Sequence, residues 1–124
     1  MNIQKTGRID SWGPKIFLGS AAGDIASVCL TAPDKAEDFM GQTRGILSVI
    51  DDLLGQMGSS RADVVQVQLW LADIAYWPDF VPVWNNWVDP DAPPGLSVVT
   101  MPASRRDSLL EIRAWAVRAN PDAA

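Results

Sequence analysis

The chain contains no histidine. That absence removes Ser-His and Cys-His nucleophile pairs, imidazole metal ligands and the side chain that most often acts as a general base near neutral pH. Any catalysis must come from carboxylates, arginine, lysine, backbone amides or water. Cysteine occurs once, at Cys29, so no internal disulfide can form, which suits a reducing compartment; the residue reads as an inert small side chain. Long apolar runs are missing too. No stretch approaches the roughly 18 residues of a membrane span, and the N-terminal MNIQKTGRIDSWGPK lacks the apolar core of a signal peptide. These features predict a cytoplasmic protein with no membrane partner. Basic residues are outnumbered: ten Lys and Arg against fifteen Asp and Glu leave a net charge of −5. With no basic stripe, nucleic acid is disfavoured as a partner.

What is present is the composition of a globular chain. At 48% hydrophobic and 20% charged over 124 residues, it reads as one domain, residues 1–124, large enough for a real core and too small for two. Only the first five residues and the tail NPDAA look soft. The coarse order is strand, strand, helix, strand, helix, strand, strand.

Gly7 to Trp12 and Lys15 to Ser20 are expected to be short strands joined across Gly13-Pro14, and VCL beyond Gly23 could add a strand segment. Asp34, with Glu37 three residues on, suggests the start of a helix. Its apolar stripe, Phe39, Thr43, Ile46, Leu47, Ile50, Leu53, Leu54 and Met57, ends at Gly58. Asp63 to Asp73 and Ser108 to Arg118 alternate with a period of two. In the first, Val65, Val67, Leu69 and Leu71 form one face, with Val64, Gln66, Gln68 and Trp70 on the other. In the second, Leu110, Ile112, Ala114 and Ala116 oppose Leu109, Glu111, Arg113, Trp115 and Val117. Tyr76 to Val88 reads as a shorter helix that Pro82 could delay, its Trp77, Phe80, Trp84 and Trp87 packing on the sheet. Two helices cover one side of so small a sheet. The other side, with Trp70, Trp115, Val64, Leu109 and Val117, is too apolar for water and predicts a homo-oligomer.

Three segments carry a family resemblance. Gln42-Thr43-Arg44 in the first helix precedes Gly58-Ser59 and Asp63-Val64-Val65; Leu71-Ala72-Asp73 closes a strand; Leu110-Glu111-Ile112 followed by Ala114 forms the last one. In order and spacing, from Ile16 to Arg118, the chain resembles the RidA/YjgF family of reactive-intermediate deaminases, with LADIA and VWNNWVDP closest to its YoaB-like branch. The resemblance implies an α+β, chorismate-mutase-like mixed sheet with two helices on one face. It also implies a homotrimer in which the strands' back faces form a central barrel, with small-molecule clefts between subunits. The implied reaction is hydrolysis of enamines and imines to carbonyl compounds and ammonia, without metal or organic cofactor.

The same resemblance implies a site. A substrate carboxylate needs a guanidinium, water adding to the C=N carbon needs an orienting carboxylate, and a glycine lets backbone approach the substrate. Glu111 matches the water-orienting glutamate and Gly19 the glycine. The Pro-Ala-Arg-Ser motif falls on Pro94, Gly95, Leu96 and Ser97, so leucine stands where the family has its arginine. A helix-start asparagine falls on Val81, and a cysteine on Val98. Ser20 and Ser97 could donate hydrogen bonds in the cleft or be ordinary strand-end serines. Glu111 could pair structurally with Arg113 or act as a cleft acid, and Arg113 could supply the missing guanidinium. Arg105 and Arg106 read as solvated turn charges. Two functions stay open: a deaminase with altered or absent activity toward 2-iminopropionate, and a non-catalytic trimer that binds an apolar metabolite at Leu96, Val81 and Val98.

Overall fold

A computed structural model describes residues 2–11, 13–102, 105–119 and 121. Its elements, in chain order, are β1 (Ile3–Ile9), β2 (Ile16–Ala22), β3 (Ile25–Thr31), α1 (Phe39–Gln56), β4 (Val64–Leu71), α2 (Trp77–Trp87), β5 (Gly95–Thr100) and β6 (Leu110–Val117), with short 3₁₀ turns before β4 and α2. They form one six-stranded mixed sheet, ordered β1-β2-β3-β6-β4-β5. Only β4 and β5 run parallel among the hydrogen-bonded pairs. Residues 3–5, expected to be soft, are the start of an edge strand paired with β2. Trp12, the expected end of the first strand, lies outside the described residues, as do Asn120 and Asp122 to Ala124 of the expected soft tail.

The stripe of α1 is buried as its spacing requires, with Ile46, Ile50 and Leu54 fully enclosed. Its N-cap is Asp38, whose carboxylate accepts from the Gly41 amide at 2.8 Å. Asp34, the expected cap, instead accepts from Ala36 two residues on, closing a local turn ahead of the helix. At the other end Gly58 takes the left-handed conformation, φ +81°, and the Ser59 amide reaches back to the Leu54 carbonyl at 2.9 Å.

Helix α2 starts at Trp77 and runs through Pro82 rather than beginning there. The proline forfeits a single backbone bond, while Phe80, Val83, Trp84 and Trp87 bury their side chains. Phe80 stacks on Trp84 at 5.7 Å and Trp84 meets Trp87 at 5.6 Å. Trp77, expected to pack on the sheet, stays 36% exposed at the start of the helix.

The core lies between this helical layer and one face of the sheet: Val67, Leu69, Leu71, Leu110, Ile112, Ala114 and Ala116 point into it. A bulge between Val64 and Gln66 changes the expected alternation at the start of β4. The extra residue turns Val64 into the core and leaves Val65 55% exposed, the reverse of a regular strand. The opposite face keeps an apolar row across four strands, Ile3, Ala22, Ile25 and Val117, joined by the backbone register.

Candidate functional site

Backbone pairing places four of the sequence-predicted residues, Ser20, Ser97, Glu111 and Arg113, on the uncovered face of the sheet. Register pairs Cys29 of β3 with Arg113 of β6, and Arg113 with Gln68 of β4, which faces Ser97 of β5. The next row is Thr31, Glu111, Trp70 and Val99. Across β2, Ser20 pairs with Ser27, and Ser27 with Trp115. A cavity of about 680 Å³ lies over these rows, lined by Ser20, Ser27, Cys29, Glu111, Arg113 and Trp115. Phe17, Ile3 and Ile25 add apolar lining, and Arg105 also lines it.

Of the two alternatives for Glu111, the ion pair with Arg113 does not form. Among the described residues the ion pairs are Arg8–Asp10 and Arg61–Asp51, both at 2.7 Å. Same-face neighbours on one strand stand two residues apart, about 6.6 Å by strand rise, too far for direct contact without bent side chains. Cys29 fills the gap from the neighbouring strand. Its thiol donates to Glu111 Oε2 at 3.4 Å, while the Arg113 guanidinium lies over the Trp115 ring at 5.7 Å. Burial pushes the Cys29 thiol up from 9.0; the Arg113 guanidinium pulls it down and the Glu111 carboxylate adds to the rise. Cys29 thus lines the cavity as a neutral thiol in contact with Glu111. The pairing of β3 with β6, invisible in one sequence, brings it there.

The other predicted positions fall elsewhere in the chain's own structure. Gly19 is buried on the helix side, where a Cβ would stand 3.1 Å from both Met57 Cε and Thr6 Cγ2, so packing accounts for it. Leu96 and Val98 also face the helix side, half-buried against the core, in register with Val67 and Leu69. Ser97 is exposed on the cavity's side of the sheet, on the far edge strand, and its carbonyl accepts from Gln68 Nε2 at 3.2 Å. Val81 is half-buried on α2, on the opposite layer. Gly95 follows from its neighbour: a side chain there would collide with the Gln66 amide oxygen.

Two polar side chains support the site from behind. Gln42 of α1 is buried; its amide nitrogen donates to the carbonyls of Glu37 at 3.2 Å and Asp107 at 3.1 Å, and its oxygen accepts from the Leu109 amide at 3.0 Å. It fixes the turn that launches β6, and hence Glu111. Arg118, at the end of β6, is buried with no acidic partner among the described residues. Its guanidinium donates to the carbonyls of Met57 (2.8 Å), Gly23 (2.9 Å) and Pro121 (2.6 Å) and to Gln4 Oε1 (2.8 Å). Among the described residues no group of three or more Cys, Asp or Glu side chains is placed to hold a metal, and no helix is long and apolar enough to cross a membrane.

Residues 20–118 match the sequence model of the family described as Endoribonuclease L-PSP. A RutC family protein of Haemophilus influenzae is 34% identical over 58 residues, which is 47% of this chain and 50% of that protein. One from Haemophilus ducreyi is 29% identical over 66 residues, 52% of this chain and 56% of that protein. The chain thus spans about half the length of the curated relatives it matches. In three dimensions it is similar to a YjgF family member from Neisseria meningitidis, with TM-score 0.83, 24% identity and coverage of 95% of this chain and 96% of that one. A member of the YjgF/YER057c/UK114 family from Mycobacterium tuberculosis gives TM-score 0.79 at 26% identity, covering 94% and 99%.

Proposed function

Because the chain belongs to the Endoribonuclease L-PSP family, the YjgF/RidA family of the sequence resemblance, we propose that the cavity on the back of the sheet hydrolyses the C=N bond of small imines. The observation that carries this reading is Glu111 facing that cavity with Arg113 on the adjacent row. Glu111 orients a water and takes one of its protons as the oxygen adds to the imine carbon. The nitrogen gains protons, the C–N bond breaks, and a carbonyl compound and ammonia leave. Arg113 holds the substrate's anionic group in place of the family arginine, for which Leu96 stands here.

The working unit in this reading is a homotrimer. Exposed Ile25 and Val117, 51% and 43% accessible, belong to the apolar row on the uncovered face and support burial against other copies. The cavity is open on one side, and the edge strand β5 of a neighbouring copy can supply the second wall, bringing that copy's Leu96 to the cleft. The YoaB-like branch, a cytoplasmic location, and the lack of cofactor and nucleic-acid partner belong to the same proposal. Binding of an apolar metabolite without catalysis in the intersubunit cleft rests on Leu96, Val81 and Val98; the charged pair of Glu111 and Arg113 lining the cavity favours the deaminase.

The test is to generate 2-aminoacrylate with a serine dehydratase, and separately larger imino acids with an amino-acid oxidase, and to follow imine lifetime with and without the protein. Acceleration that Glu111→Gln abolishes and Arg113→Met reduces supports the reading. No acceleration of any imine at stoichiometric protein refutes it. In Leu96→Arg, faster turnover of 2-iminopropionate locates position 96 at the cleft.

A further inference from the structure

We infer that Cys29 is a positioning residue for Glu111: its thiol fixes one carboxylate oxygen so that the other is presented to the attacking water. The inference rests on the deaminase reading and goes beyond it, since nothing in the family resemblance puts a functional residue on β3.

The geometry is specific. Cys29 stands opposite Arg113 in the β3–β6 register and diagonal to Glu111, and its Sγ reaches Oε2 at 3.4 Å. In the side-chain hydrogen bonds of the described residues, this is the one bond that Glu111 makes. A carboxylate on an open sheet face with no second anchor would sample several rotamers, each placing the water differently. A thiol is a weak donor, so the restraint it puts on the carboxylate is a modest one. Glu111 and Arg113 are the charged groups against Cys29, acting on its proton in opposite senses. Arg105 also lines the cavity.

The chain has a single cysteine, so protein labelled with [3-¹³C]cysteine gives one Cβ resonance whose shift follows thiol ionisation at this position alone. The expected result is a titration midpoint that moves to lower pH in Glu111→Gln and to higher pH in Arg113→Met, at unchanged unfolding temperature. In steady-state imine hydrolysis, Cys29→Ala should lower kcat about three- to tenfold, as for loss of one modest hydrogen bond, with KM nearly unchanged. Cys29→Ser, which keeps a donor, should restore most of it. A midpoint indifferent to Glu111→Gln overturns the inference whether or not any imine is turned over. So does a Cys29→Ala enzyme with wild-type kcat. A chain inert toward every imine, whose thiol midpoint still responds to Glu111→Gln, instead refutes the deaminase reading and upholds the pairing of Cys29 with Glu111.

Discussion

Replacing Gln42 by methionine isolates the support beneath the site. The two side chains are similar in volume, so the cavity left behind is small, and the loss is that of hydrogen bonds inside a buried layer. The Leu109 amide loses its acceptor at 3.0 Å, and the Asp107 and Glu37 carbonyls lose their donor at 3.1 and 3.2 Å. An orphaned buried group costs about 1–3 kcal/mol. The Leu109 amide carries most of that cost, because Asp107 and Glu37 are exposed residues whose carbonyls can turn to water. The expected total is about 2–4 kcal/mol, at roughly 3–6 °C of Tm per kcal/mol for a domain of this size. Guanidinium chloride unfolding should show a lower midpoint with an unchanged m-value. Gln42→Glu sharpens the test. It keeps the acceptor for Leu109 but turns a negative charge toward the two carbonyls, so near neutral pH it should cost more than methionine. Burial raises the folded-state pKa of such a carboxyl. Its proton therefore stabilises the fold at low pH and is lost as pH rises through that raised value, so the glutamate variant's deficit should shrink on acidification relative to methionine's. A methionine variant within about 0.5 kcal/mol of wild type, the scale of an ordinary surface change, would refute the reasoning.

Other perturbations test the remaining links. Arg118→Met strands the buried Met57 carbonyl and the half-buried Gly23 carbonyl and is expected to cost about 2 kcal/mol, with Arg118→Lys recovering part; a loss no larger than that of a surface substitution in thermal melts contradicts the clasp. Asp38→Ala should cost about 1 kcal/mol and Asp34→Ala clearly less, and equal losses by denaturant titration would mean that the cap is misassigned. The native state holds the Cys29 proton longer than the unfolded chain does, so its contribution is intact below 9.0 and falls as pH rises through the higher native value. The difference between wild type and Cys29→Ala should therefore narrow in alkaline unfolding curves. That difference isolates the thiol from Lys35, whose pKa burial and then Arg105 lower, and whose contribution runs in the opposite sense. Val117→Glu, on the apolar row, should dissociate the proposed trimer in sedimentation velocity, and a wild type already monomeric at micromolar concentration sinks that proposal.

Elements whose signal is local were legible in the sequence. The α1 stripe and the β6 alternation needed only periodicity, because burial on one side imposes it residue by residue. Helix starts were less legible: Asp34 and Asp38 carry the same side chain, and which one caps depends on where the preceding turn closes. The bulge that turns Val64 inward is set by its partner strand, so alternation alone placed Val64 and Val65 on the wrong faces. In the candidate site, Glu111 and Arg113 could be placed on one face from their spacing in β6. Cys29 could not, since its position depends on pairing with a strand more than eighty residues away.

Strand placement also bears on the proposal that Leu96 stands where the resemblance puts an arginine. Leu96 sits in register with Val67 on the layer that meets the helices, a place where leucine is at home and a charge is costly unless another surface receives it. Arg113 occupies the uncovered face, without an acidic partner among the described residues, one row from the carboxylate that the reaction needs. A guanidinium already held over Trp115 loses little further freedom on gripping an anion. If catalysis depends on that grip, Arg113→Lys should fall almost as far as Arg113→Met, because an ammonium keeps the charge but not the planar fork that binds a carboxylate through two parallel bonds. Full activity in the lysine variant would mean that charge alone suffices, and that the substrate's anionic group is held by the field of the cavity rather than by a bidentate contact.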